Sequence, residues 1–272
     1  MPKHPADEDF LQQFSSLWHG GYFEGDPRDP HGQNTYGEYG YNSAIFTTYM
    51  ACIRPYVDAN TTALEIGPGR GAWSKVILDR GAKHLYALDA ASAEHTGFWQ
   101  YVGSTDRATY ILAKDFSLDG VPDNSIDYFF SFGVFCHLKP EMSAAYIGSL
   151  ARKMKSDANG FLQFGDFDKY NRCLKDPSSY VLLRALKGKR RLLARLAYSI
   201  LLRRRMNFTP LSKDAKSNLA DPEGRGSWYH WSIQDACATI NACGFEIVEP
   251  DINVLSRDPV VHFRVGPATK RA

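Results

Sequence analysis

Glu65, Gly67, Gly69 and Gly71 stand at alternate positions in Thr62-Ala63-Leu64-Glu65-Ile66-Gly67-Pro68-Gly69-Arg70-Gly71-Ala72-Trp73. An apolar run ends there in a tight glycine turn, and an amphipathic helical pattern follows at once. A strand, turn and helix of this kind lets the backbone press close against a nucleotide-like ligand, because a Cβ at the glycines would block the turn or the ligand. Asp89 closes the next apolar run, Leu85-Tyr86-Ala87-Leu88. A carboxylate in that place can accept from both hydroxyls of a ribose, and it repels a 2′-phosphate.

Glycine spacing alone leaves the ligand open. Gly67, Gly69 and Ala72 satisfy the loose G-x-G-x-x-A pattern, so NAD and S-adenosylmethionine both fit. Glu65 favours the second: a carboxylate just before the first glycine suits an ammonium group and repels a pyrophosphate. Further on come Tyr110-Ile111-Leu112-Ala113-Lys114-Asp115-Phe116 and then Asp123-Asn124-Ser125-Ile126-Asp127 leading into Tyr128-Phe129-Phe130-Ser131-Phe132-Gly133. That order of motifs resembles the class I S-adenosylmethionine-dependent methyltransferases from roughly Thr61 to Phe167, and again near the C-terminus. The resemblance implies a Rossmann-like α/β fold, with a seven-stranded, mostly parallel sheet in the order 3-2-1-4-5-7-6, strand 7 antiparallel, and helices on both faces. It implies S-adenosylmethionine as cofactor. Glu65, Gly67, Gly69 and Gly71 would lie along the methionine part, Asp89 on the ribose, Asp115 on the adenine amino group and Phe116 on the ring, with Ser131 completing the set. Asp115 has a second reading, as a cap on the turn before Ser117.

Methyl transfer from a sulfonium is an in-line displacement, so holding acceptor and methyl in line supplies much of the catalysis. An alcohol acceptor must also lose a proton, for which a neutral histidine is suited. His137 lies just past the fourth strand in Phe132-Gly133-Val134-Phe135-Cys136-His137-Leu138, at the end where open α/β sheets bind ligands. The segment is similar to the V-L-H-H-L stretch of small-molecule and sugar methyltransferases, with Cys136 in place of the first histidine. The competing reading is a histidine that only supports the pocket or caps the next helix. Asp166, in Gly165-Asp166-Phe167-Asp168, is placed to orient His137 or bind acceptor hydroxyls; a solvated loop acid is the plain alternative. Asp166 and Asp168 also raise a divalent ion, but two carboxylates alone are a poor metal signature, and no metal is expected. Trp228, His230 and Trp231 either line the acceptor pocket or form a satellite hydrophobic cluster.

These residues need a scaffold, and the hydrophobic pattern supplies one. Apolar runs predict strands near 61–67, 84–90, 109–115, 125–133, 160–167, 245–248 and 259–265, with helices near 43–57, 71–80, 92–102, 139–155 and 232–243. The βαβ alternation predicts a parallel sheet covered on both faces. The expected organisation is an N-terminal cap over 1–43, a catalytic domain over 44–168 plus 227–272, and a helical insert over 169–226.

The 272 residues carry a net charge of only +2, which predicts no global attraction to nucleic acid. Charge is uneven, however: Arg184, Lys187, Lys189, Arg190, Arg191, Arg195 and Arg203 to Arg205 fall in 180–206 with no acid among them. On a helical wheel, Leu182, Leu186, Leu193, Leu196 and Ile200 share one face. This stretch reads as a lid packed on the domain, as an interfacial helix at an anionic membrane surface, or as a polyanion site. The five cysteines show no C-x-x-C or zinc spacing and are expected to be reduced thiols. With no apolar leader and no ~18-residue apolar span, a cytoplasmic protein is expected, with a peripheral place at the inner membrane face as the variant. The leading functional expectation is O-methylation of a small molecule or saccharide, lipid-linked ones included. A nucleic-acid methyltransferase, a NAD-dependent oxidoreductase and a non-catalytic module are the alternatives; oligomeric state is not legible.

Overall fold

The computed structural model describes residues 26–28, 41–175, 193, 228–255 and 258–266. The cap expected over 1–43 therefore lies outside the described residues apart from 26–28 and the backbone of 41–43, and the basic stretch 180–206 lies outside them apart from Leu193.

Seven strands form one sheet in the order β3-β2-β1-β4-β5-β7-β6. They are β1 (Thr62–Ile66), β2 (His84–Asp89), β3 (Ala108–Leu112), β4 (Ile126–Ser131), β5 (Met154–Gln163), β6 (Phe245–Glu249) and β7 (Val260–Val265). β1 to β5 pair in parallel, and β7 enters antiparallel between β5 and β6. The expected order and the antiparallel strand are both observed.

Helices α1 (Tyr41–Thr48, ending in a π turn Tyr49–Ile53), α2 (Ala72–Asp79), α3 (Ala93–Thr96), α4 (Phe98–Val102), α5 (Pro140–Lys153), α6 (Phe167–Lys175) and α7 (Ile233–Ala242) flank the sheet. Both faces are buried, which is why the strands read as near-continuous apolar runs. Along β4, Phe129 packs into one core while Tyr128 and Phe130 pack into the other. Each such ring removed from water contributes about 1.5–3 kcal/mol. Among the described residues no helix is long and apolar enough to cross a membrane.

Three elements differ from expectation. The helix expected over 92–102 breaks at Gly97, whose φ of +68° ends α3 and starts α4. β5 begins at Met154, straight off α5, although the sequence predicts helix to 155 and strand only from 160; Met154 pairs with Ile126 before an irregularity in the register. α6 crosses the domain boundary expected at 168. Its Phe167 is fully buried, and its Lys169 is a buried cation that pairs with Asp251 Oδ2 at 2.6 Å. That ion pair fastens the start of α6 to the loop between β6 and β7.

Candidate active site

The glycine turn after β1 is a closed steric arrangement. Gly67, Gly69 and Gly71 all have positive φ, at +73°, +52° and +98°. Gly67 N–H donates to Leu88 O at 2.8 Å, and Gly71 N–H to Pro68 O at 2.8 Å. A Cβ on Gly67 would lie 2.0 Å from Val134 Cγ2. Val134 opens the 3-10 turn Phe135–His137, so the glycine turn and the histidine turn are in direct contact.

Two buried carboxyl groups flank this turn. Glu65 is sealed at the end of β1 (1% exposed), and the Ser74 hydroxyl on α2 donates to its Oε2 at 2.5 Å. Burial lifts the Glu65 carboxyl to about 8; the Ser74 hydrogen bond opposes the rise and the nearby Asp89 charge adds to it. Such a carboxyl is largely neutral at pH 7 and ionises when a cation arrives beside it. Asp89 accepts from Gly69 N–H through Oδ2 and from Ala91 N–H through Oδ1, both at 2.9 Å. Burial pushes its carboxyl up, while those backbone donors hold it down. Asp89 thus shapes the glycine turn, and a carboxylate oxygen that accepts one hydrogen bond still has a lone pair for a hydroxyl.

Asp115 is exposed after β3, and its Oδ1 accepts from Ser117 N–H at 2.7 Å, the turn-capping contact. Phe116 is half-buried and meets Tyr146 edge-on, with ring centres 4.9 Å apart. The Ser131 hydroxyl is buried and donates to Ile66 O at 2.8 Å, so it ties β4 to the end of β1. Four of the cysteines, Cys52, Cys136, Cys237 and Cys243, are unbridged.

On the other side of β4, His137 is half-buried, and its N–H donates to Val134 O at 2.8 Å, which closes the 3-10 turn. Asp166 is buried at the end of β5 and caps α6: its Oδ1 accepts from Asp168 N–H at 2.7 Å and Lys169 N–H at 3.2 Å. Its Oδ2 accepts from Ile233 N–H at 3.4 Å. None of these partners is His137. The segment 228–231 instead straps the two strand ends together, through Tyr229 N–H to Cys136 O and Trp231 N–H to Gly165 O, both 2.8 Å. Trp228 packs with Cys136 and Phe167, and Trp231 packs edge-on against Phe164 in the main core. His230, between them, accepts Phe167 N–H on Nδ1 at 3.1 Å.

Sequence reasoning passed over two residues. Ser74, the partner of Glu65, sits in the first turn of α2 with nothing local to mark it. Gln163 ends β5 fully buried; its Oε1 accepts from Gly133 N–H, and its amide donates to Asp258 Oδ2 at 2.8 Å. An amide inside an apolar strand end was the available signal, since buried polar groups need partners.

Comparison with known proteins places the fold. Residues 64–161 match the family model described as a methyltransferase domain. No curated protein matches the sequence. Among solved structures, an S-adenosylmethionine-dependent methyltransferase from Mesorhizobium loti aligns with a TM-score of 0.53 at 14% identity, over 81% of this chain and 97% of that one. The 1,6-didemethyltoxoflavin-N1-methyltransferase of Burkholderia thailandensis, with its substrate and S-adenosylhomocysteine bound, aligns with 0.51 at 14% identity, over 95% and 86%. A putative methyltransferase of Haloferax volcanii, in complex with the Trm112 methyltransferase activator, aligns with 0.54 at 13% identity, over 94% and 98%.

Proposed function

We propose that this class I S-adenosylmethionine-dependent methyltransferase moves the methyl group to a hydroxyl of a small molecule or saccharide, with His137 as general base. The observation that carries this reading is the contact between Val134 and the Gly67 position, which sets the His137 turn directly against the cofactor's glycine turn. The cradle suits the cofactor: a neutral buried carboxyl for the ammonium (Glu65), backbone that admits no Cβ (Gly67), and a carboxylate for the ribose (Asp89). Asp115 and Phe116 would hold the adenine.

When bound, S-adenosylmethionine supplies a methyl group already activated by its sulfonium. The chain's own residues do the rest. Glu65 neutralises the ammonium. His137, on its short turn, takes the acceptor's proton as the new bond forms. Asp166 fixes the start of α6 and thereby the wall facing that turn. The Burkholderia relative methylates a ring nitrogen, so the fold serves nitrogen acceptors too. A histidine base beside the glycine turn favours the hydroxyl reading here, because an alcohol needs its proton removed. The strand-4 end reads Ser131-Phe132-Gly133-Val134 and carries no N-P-P-Y-like tetrad for methylation of an amino group. For the acceptor's setting, the basic, leucine-bearing stretch 180–206 supports a peripheral place at an anionic membrane face and a lipid-linked acceptor.

The test uses methyl-labelled S-adenosylmethionine with the purified protein and fractionated cell extract. A labelled methyl ether, identified by mass spectrometry, is the expected product. Label recovered only on nitrogen, or only in nucleic acid, would refute the hydroxyl reading.

Glu65 gives the cofactor step a pH signature. Its carboxyl, raised from 4.5 to about 8, is protonated at neutral pH in the free protein. Its contribution to stability is therefore full below pH 4.5 and is lost as pH climbs through 8. An arriving ammonium drives the proton off. Calorimetry at pH 7 in buffers of different ionisation enthalpy should show release of roughly one proton per cofactor bound, with affinity rising up to about tenfold per pH unit below 8. Glu65→Gln should abolish both effects.

A further inference from the structure

We infer that Asp166, Asp168 and His230 form a divalent-cation site at the acceptor end of the sheet. Two carboxylates two residues apart are weak evidence for a metal. The fold changes that by bringing in an imidazole from a distant part of the chain: one donor atom from each of the three residues falls within 4.8 Å of the others. Donors shared by one ion at bonds of about 2.0–2.2 Å lie at most about 4.4 Å apart. Side-chain rotation of a few tenths of an ångström closes the difference.

The site is built rather than fortuitous. Trp231 N–H to Gly165 O and Tyr229 N–H to Cys136 O lock the segment bearing His230 onto the strand ends. A Cβ on Gly165 would lie 2.5 Å from Trp228 Nε1 and 2.6 Å from Tyr229 O, so that approach needs a residue without a side chain. Asp166 is held rigid by its capping bonds: Oδ1 takes two N–H donors, while among the described residues Oδ2 accepts only Ile233 N–H and keeps a lone pair for coordination. Its carboxylate is 3% exposed, and His230 Nδ1 lies 3.8 Å from its Oδ1. The adjacent Lys169 is turned away to Asp251.

Two carboxylates and one imidazole make a mixed oxygen and nitrogen set. It suits Mn²⁺ or Zn²⁺ better than Ca²⁺ or Mg²⁺, which prefer oxygen throughout. Coordination through His230 Nδ1 replaces its bond with Phe167 N–H, a small loss beside a ligand bond. Three protein ligands leave further positions open, as in catalytic sites. If the acceptor reading above holds, those positions take the acceptor's oxygen atoms, and the ion's charge favours transfer of the hydroxyl proton to His137.

The test is made on the full chain with Mn²⁺ followed by electron paramagnetic resonance and with Zn²⁺ followed by calorimetry. S-adenosylhomocysteine is titrated in parallel, so that a lost cofactor site and a lost metal site are told apart. One equivalent of at least one of the two ions should bind. Asp168→Ala and His230→Gln should each weaken that binding by at least about tenfold, with S-adenosylhomocysteine affinity unchanged. His137→Gln should leave metal affinity as it was. These variants are chosen because Asp166→Ala would also remove the cap of α6. Failure of both ions to bind, or binding indifferent to Asp168 and His230, overturns the site.

Discussion

Replacing Gly67 with alanine is expected to destabilise the fold by about 2–4 kcal/mol and to cut S-adenosylhomocysteine affinity by at least about tenfold. Two separate costs add. At φ +73° an L-residue is strained, and the new methyl would sit 2.0 Å from Val134 Cγ2. That atom belongs to a branched side chain with little freedom to turn aside. Relief must come from the backbone, either of the glycine turn or of the His137 turn, and either movement opens the cradle. Gly81 is the control. Its φ of +94° is equally unusual, but nothing lies within 4 Å of an added Cβ. Gly81→Ala should therefore cost only about 1 kcal/mol of conformational strain and leave cofactor binding intact. Urea unfolding and calorimetry on the two variants separate the costs. Equal stability and equal affinity in both would mean that the contact between the two turns does not constrain the site.

The sequence announced most of the scaffold because the physics there is local. Strands buried on both faces give unbroken apolar runs, and the glycines, Asp89 and Glu65 sit at positions fixed by a turn. What escaped depends on contacts between distant segments. The polar stretch Lys155-Ser156-Asp157 falls within β5 as an irregularity, because Met154 before it and Asn159 after it both pair with β4. α6, written Phe167-Asp168-Lys169-Tyr170-Asn171-Arg172, carries few apolar residues, and its start is secured by a buried ion pair with a residue on the far side of the basic stretch. Asp166 illustrates the limit best. Its position after β5 was legible, and a cap on Asp168 and Lys169 N–H is a matter of local spacing, but its contacts with Ile233 and His230 were not inferable. Two carboxylates alone are a poor metal signature in the sequence, and it is the folded chain that brings His230 beside them.

His137→Ala should lower kcat by about 10²–10⁴-fold while S-adenosylhomocysteine affinity stays within about twofold of the wild type. The three atoms nearest a Cβ on Gly67 all belong to Val134, three residues before the histidine, so the cradle should survive its removal. Phe135 and Cys136, the buried residues of the turn, are untouched, and the strap from Tyr229 N–H to Cys136 O holds the backbone in place. A purely supporting histidine makes a different prediction, because its loss would loosen the turn, weaken cofactor binding and lower the melting temperature together with the rate. pH sharpens the distinction. Without its base the variant must wait for acceptor already ionised in solution, so its residual rate should climb steadily with pH where the wild-type rate has levelled off. His137→Gln, which keeps a hydrogen-bonding side chain but removes the basic nitrogen, should be as slow as His137→Ala if the proton is what matters. Recovery of most of the rate in the glutamine variant would assign His137 to holding the acceptor and leave the proton to another group.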